Sequence, residues 1–322
     1  MALYQTYGRD RLDKNDSAAI EEVLVEAYEL GKEAAPSGEV ASYIPELSKA
    51  KPEEFGICLM TRDGREFSYG DFDTRFSMQS VSKVVTLAAA LEKFGYKRVF
   101  SNVLMEPSGD SFNSIIKLDT ASNLPYNPMI NAGAIQIVSL IAESSTFEQL
   151  LDFTKLLCMD DEITLNEAVY ESEKETGDRN RAIAYLLKSK GVLAGDPDKT
   201  LDMYFKMCSL NVSAKSLAGL GLVLANDGIN PKTGQKILHS RFVRMINSIM
   251  FTCGMYDGSG EFGVKVGIPA KSGVGGGITC GVKGHMGIGI YGPALDSKGN
   301  SVGGTTALEH ISYRLNLHVF DY

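Results

Sequence analysis

The sequence predicts an α/β fold in which one antiparallel sheet is built from both chain ends, flanked by helices, with a mainly helical region inserted between. Three observations carry this reading. Near the start, the apolar run Phe55–Thr61 is followed by Asp63-Gly64 and a second run, Glu66–Tyr69, and Asp-Gly between two such runs signals a hairpin. From Gln79 to about Gly228 the pattern is mainly helical. After about residue 255, Gly, Val and Ile dominate in GVKVGIPAKSG, GGITCGV and GHMGIGIYGP, which read as three short strands joined by tight turns. Strands at both ends with helices between place the sheet in residues 1–75 and 229–322, and a helical domain carrying the candidate nucleophile in 76–228.

Each element has a local reason. A first helix is expected from about Ser17, with Ile20, Val23, Leu24 and Ala27 on one face and Asp16 or Ser17 as N-cap. A second is expected over Gln79–Gly95. Thr164-Leu165-Asn166-Glu167 reads as a capping box leading into Ala168 and Val169. A helix from Ser213 carries Leu217, Leu220 and Leu224 and stops near Gly228, and a last helix spans Thr305 to Asn316.

The 322 residues are 44% hydrophobic and 22% charged, as in an ordinary globular protein. A net charge of −8 argues against a nucleic-acid surface, which needs clustered Lys and Arg. No uncharged apolar run is long enough to span a membrane. The N-terminal MALYQTYGRDRLDKND has no apolar core of a secretory signal, so a cytoplasmic protein is expected. The five cysteines are scattered without a C-x-x-C pair, and the four histidines form no H-x-x-x-H pair. Catalysis without a metal, a cofactor or a histidine base is the expectation.

Chemistry concentrates in FSMQSVSKVVTLAAAL, where Ser80 and Lys83 form an S-x-x-K pair. Residues three apart share a helix face, so the lysine can reach the serine hydroxyl. The same spacing occurs at Ser48/Lys51 and Ser114/Lys117, and context separates the three. Ser48 lies in a charged stretch broken by Pro52, and the flank of Ser114 offers no long buried helix. Lys83 is the sole charge between Phe76 and Leu91, so burial is expected to depress its pKa and turn it into a base. The competing reading is a lysine that snorkels to the surface or pairs with a carboxylate. A second motif, Lys271-Ser272-Gly273, follows at the end of an expected strand and matches the K-[ST]-G element of the same enzyme class. Lys232-Thr233-Gly234 repeats it in a polar turn with no strand before it.

With these motifs in place, the chain resembles the bacterial serine-dependent glutaminases, a family with the β-lactamase/transpeptidase-like fold. The matching stretches are ASYIPEL around Tyr43, FSMQSVSK, EPSGDSFNSI, NPMINAGAI around Asn131, ESEKETGDRNRA, LDMYFKMCS around Tyr204, TCGMYDGSGEF around Tyr256, and AKSGVGGG around Val274. They run in family order over nearly the whole chain.

The resemblance implies that Ser80 attacks the side-chain amide of L-glutamine while Lys83 takes its proton. Tyr256 would be a second proton carrier, and the amides of Ser80 and Val274 would form the oxyanion hole. It assigns Glu173 to the substrate ammonium, Asn131, Asn180, Tyr43 and Tyr204 to carboxylate and amide contacts, and Gln79, beside the nucleophile, to another substrate-contacting position. Taken alone, Glu173 in ESEKE reads as a solvated face. A homo-oligomer, dimer or tetramer, is implied by the family. Two other readings stay open at this stage. One is a β-lactamase or esterase of the same fold, for which Ser111-Phe112-Asn113 supplies an S-x-N triplet. The other is a ligand-binding module that cannot deacylate. The Glu106-Pro107-Ser108-Gly109-Asp110 segment is expected to act as a lid.

Overall fold

The computed structural model describes residues 10–108 and 124–321. The Ser114/Lys117 pair, the Ser111–Asn113 triplet and the end of the expected lid lie outside them. Helix α1 (Ser17–Ala34) begins as expected, with the Asp16 carboxylate accepting from the Ala18 N–H. Next come β1 (Glu39–Val40), the hairpin β2 (Gly56–Thr61) and β3 (Glu66–Gly70), and β4 (Phe76–Ser77). A 3-10 turn at Gln79–Val81 leads into α2 (Ser82–Val99), which continues past the expected end at Gly95 with a break in helical geometry there, φ 73°.

The helical region continues with α3 (Asn131–Ala142), α4 (Phe147–Cys158), β5 (Thr164–Leu165), α5 (Glu167–Thr176), α6 (Asp178–Ser189), α7 (Pro197–Cys208), β6 (Leu210–Val212) and α8 (Ala214–Ala225). The expected capping box is displaced. Asn166, not Thr164, caps α5 by accepting from the Val169 N–H, because Thr164 and Leu165 are taken up in pairing with β6. The chain ends with α9 (Ser240–Cys253), α10 (Ser259–Lys265), β7 (Ala270–Ser272), β8 (Gly277–Val282), β9 (Met286–Tyr291), β10 (Ala294–Leu295) and α11 (Val302–Arg314). Within GVKVGIPAKSG, the first three residues close α10, and the strand starts only at Ala270.

The main sheet has the order β3-β2-β9-β8-β7, antiparallel throughout, so the N-terminal hairpin joins the C-terminal strands. Both faces are covered, which is why its inner strands do not alternate polar with apolar. Ile57, Leu59, Ile278, Cys280, Ile288 and Ile290 pack with residues of α1 and α11 on one face. On the other face β9 presents Gly287 and Gly289 to α8. A Cβ on Gly289 would stand 1.9 Å from the Ala214 carbonyl oxygen, and one on Gly287 2.1 Å from that of Ala218. Gly221 of α8 lies as close to the sheet, 2.0 Å from the Cys280 oxygen by the same measure. Helix and sheet thus meet backbone to backbone.

Gly289→Ala is therefore expected to destabilise the protein by about 3 kcal/mol or more, since neither backbone can yield. Gly260→Ala, with nothing within 4 Å of the added atom, should be near neutral. Urea denaturation of both variants checks this, and equal effects would refute it.

Candidate active site

Ser80 sits in the 3-10 turn before α2, between the two halves of the structure. On one side β4 pairs with β6, and the Met78 N–H donates to the Leu210 carbonyl at 2.8 Å. On the other side the glycines after β7 lie on the backbone of residues 77–80. A Cβ on Gly275 would meet the Ser77 carbonyl oxygen at 2.4 Å, and one on Gly273 the Met78 oxygen at 2.9 Å and the Ser80 nitrogen at 3.3 Å. Gly273 and Gly275 thus bring the Val274 peptide alongside that of Ser80. Gln79, just before the serine, is held at φ 48°, a left-handed conformation that non-glycine residues adopt at a cost.

Lys83 is buried at 1% exposure, which excludes the snorkelling alternative. Its Nζ donates to Asn131 Oδ1 at 2.7 Å and to the Met129 carbonyl at 3.2 Å. Burial depresses its pKa to about 8, with Cys208 and Glu173 opposing the shift. A neutral lysine amine has two N–H bonds and one lone pair. Directing the N–H bonds to Asn131 and Met129 fixes the amine one helical turn from Ser80, and in its neutral form the lone pair can accept a proton. Asn131 in turn donates to Asn180 Oδ1 at 2.9 Å, so one expected substrate contact holds Lys83 and a second holds the first.

Glu173 corrects the surface reading of ESEKE. It is 5% exposed on the inner side of α5, while Glu171 and Glu175 face solvent. Burial raises its pKa to about 7, against the lowering effects of a hydrogen bond with the Gln79 side chain and the Lys83 charge. Tyr256 and Tyr204 are buried, and desolvation pushes both phenols well up. The Tyr256 hydroxyl interacts with the Ser80 side chain and the Val274 backbone, which offset part of that rise. Tyr43 is 56% exposed as a residue, yet its hydroxyl end lies among Tyr256, Glu173 and Cys208. A cleft of about 670 Å³ lined by Tyr43, Val274, Asp257 and Lys298 opens beside them.

The structure therefore gathers Ser80, Lys83, Tyr256, Gln79, Asn131, Asn180, Glu173, Tyr204, Tyr43 and Val274 around one point. It leaves out the decoys: Ser48, Lys51, Lys232 and Thr233 are all exposed. Sequence reasoning missed Cys208, whose thiol bonds to Ser82 and Tyr204 and whose pKa burial raises to about 12. The signal was its place four residues after Tyr204 on one face of α7. It also missed the role of the Met129 carbonyl, which no side-chain pattern reveals. Among the described residues, no group of three or more His, Cys, Asp or Glu side chains could hold a metal ion.

If Lys83 is the base and Glu173 the countercharge that the resemblance implies, both must lose a proton. Glu173 does so through about pH 7 and Lys83 through about pH 8. Activity per unit enzyme at low substrate is expected to rise with pH across that window. A profile flat from pH 6 to 8.5 would contradict the assignment.

Residues 38–320 match the family model described as Glutaminase. The chain is 52% identical over 301 residues to "Glutaminase 2" of Clostridium perfringens, covering 92% of this chain and 99% of that protein. It is 50% identical over 305 residues to a glutaminase of Fusobacterium nucleatum, covering 94% and 100%. Among solved structures it is similar to a probable glutaminase, ybaS, with TM-score 0.91, 37% identity, and 95% and 100% of the two chains covered. It is also similar to the Bacillus subtilis glutaminase YbgJ in covalent complex with 5-oxo-L-norleucine, formed from 6-diazo-5-oxo-L-norleucine. That match has TM-score 0.85 and 36% identity, and covers 93% and 99%. The antiparallel sheet between helical layers is the β-lactamase-like fold that the family resemblance implied. By its sequence over almost its full length, and by its fold, this chain belongs to the glutaminase family.

Proposed function

We propose that the chain hydrolyses the side-chain amide of L-glutamine to L-glutamate and ammonia, with Ser80 as nucleophile and Lys83 as its base. The observation that carries this is the Lys83 amine, buried one helical turn from Ser80, held by Asn131 and the Met129 carbonyl, with a pKa depressed to about 8. Ser80 Oγ bonds to the amide carbon as Lys83 takes its proton, and the carbonyl electrons move onto oxygen between the Ser80 and Val274 amides. Tyr256 passes a proton to the departing nitrogen. The carbonyl re-forms, ammonia leaves, and water attacks the acyl-enzyme by the reverse relay. Glu173, as carboxylate, meets the substrate ammonium.

The covalent 5-oxo-L-norleucine on the Bacillus subtilis protein supports the reading, since that ligand carries a carbonyl at the position of the glutamine amide carbon. Within the same proposal, the enzyme works in the cytoplasm as a dimer or tetramer, which light scattering of the purified protein tests for its oligomeric part.

Ammonia release from L-glutamine is compared with hydrolysis of nitrocefin, alongside intact-mass detection of a stalled adduct. Turnover of glutamine alone supports the proposal. Nitrocefin turnover, or an adduct that persists, replaces it with a β-lactamase-like hydrolase or a module that cannot deacylate.

A further inference from the structure

Lys271 opens the K-S-G segment, yet the mechanism above does not use it. It is fully buried on β7. Its Nζ donates to the carbonyls of Gly254, at 3.0 Å, and of Ser272, and lies 4.3 Å from the centroid of the Tyr256 ring. What it touches is a segment held out of its preferred shape. Tyr256 sits at φ 54°, a region that L-residues rarely enter. Gly254 passes so near β7 that a Cβ there would stand 1.8 Å from the Ala270 oxygen. The Ser272 N–H also donates to the Gly254 carbonyl, at 3.1 Å, and Asn300 Nδ2 donates to that of Met255, at 3.3 Å. Hydrogen bonds to their carbonyls thus hold both residues before Tyr256, and Lys271 also contacts the ring.

We propose that Lys271 is a positioning residue for Tyr256: by clamping Gly254 to Ser272 and seating the ring on its own nitrogen, it holds the phenol within reach of Ser80. This rests on the reading of Tyr256 as the second proton carrier. Burial, and after it the Lys83 charge, draws the Lys271 pKa well below the ordinary lysine value. The clamp survives either protonation state, because amine and ammonium alike keep two N–H donors for the two carbonyls. The ammonium adds a third, which the ring face accepts.

The test is a double-mutant cycle on the full chain with Lys271→Met, Tyr256→Phe and the combination, with Lys271→Gln as a second single variant. Misplacement of a reacting group by about 1 Å costs roughly 100-fold, so Lys271→Met is expected to lower kcat by about that factor. KM should hardly change, since the lysine does not contact substrate. Lys271→Gln, which keeps a donor, should recover part of the loss. In the Tyr256→Phe background Lys271→Met should add less than about twofold, because its target is gone.

Unchanged kcat in Lys271→Met overturns the inference, as does a loss carried by KM. So does the same fold-loss in both backgrounds when Tyr256→Phe is itself impaired. Failure of both Lys271 variants to fold overturns it in favour of a purely structural lysine. Near-normal turnover by Tyr256→Phe alone overturns the relay reading instead, and the Lys271 inference falls with it.

Discussion

Ser80→Ala and Lys83→Met are each expected to lower glutamine turnover on the order of 10⁴-fold while leaving the protein folded, and the double variant should be little worse than either. In the proposed mechanism nucleophile and base act as one unit, so removing either removes the acyl-enzyme route. Ser80→Ala deletes one hydroxyl from a turn whose shape is set by backbone contacts to Leu210 and Gly273. Lys83→Met keeps the buried stem in its slot and removes a group that pays desolvation. It also strips Asn131 Oδ1 and the Met129 carbonyl of a donor, at about 1–3 kcal/mol for each group left unsatisfied, which works against the gain from the removed desolvation. Ammonia release under substrate saturation, with circular dichroism as the folding control, makes the measurement. Near-normal turnover by Ser80→Ala would remove the mechanism.

The second expected result concerns substrate rather than chemistry. Glu173→Gln keeps the shape of the side chain and removes its charge. A buried charge-assisted contact is worth ~1.5–3 kcal/mol, so kcat/KM should fall roughly 10- to 150-fold. The proposed contact would be made in ground and transition states alike, which places most of the loss in KM. The gap between glutamine and N-acetylglutamine, which has no ammonium, should narrow. A further sign is fixed by the Lys83–Glu173 coupling. The Glu173 charge raises the Lys83 pKa, so its removal should move the Lys83 limb of the pH profile to lower pH. An unchanged preference for the free ammonium takes Glu173 out of the site.

Much of this was legible in the chain. The Asp63-Gly64 hairpin, the Asp16 cap and the single charge, Lys83, in the apolar stretch from Phe76 to Leu91 are local signals that the structure keeps. Glu173 was not legible from its neighbours. ESEKE is charged at nearly every position, and only packing decides that this one turns inward against Gln79. The Thr164 capping box failed because strand pairing competed for the same two residues, a tertiary effect that no spacing shows. The work of Asn131 in holding the base was hidden for a similar reason, since its partner lies 48 residues earlier.

The glycine seam between α8 and β9 also sets a tolerance. From Ser80 to Val274 the connection runs through Met78 bonded to β6, along β6 into α8, across the seam to β9, and through β8 to β7. Every joint on that route is peptide against peptide, so the gap between the Ser80 and Val274 amides, the proposed oxyanion hole, is gauged by backbone thickness, not by side-chain volume. Substitutions that swell or shrink the apolar clusters on either side can cost stability and still leave that gauge unchanged. Selection is then free to trade core residues for thermal behaviour without retuning the hole.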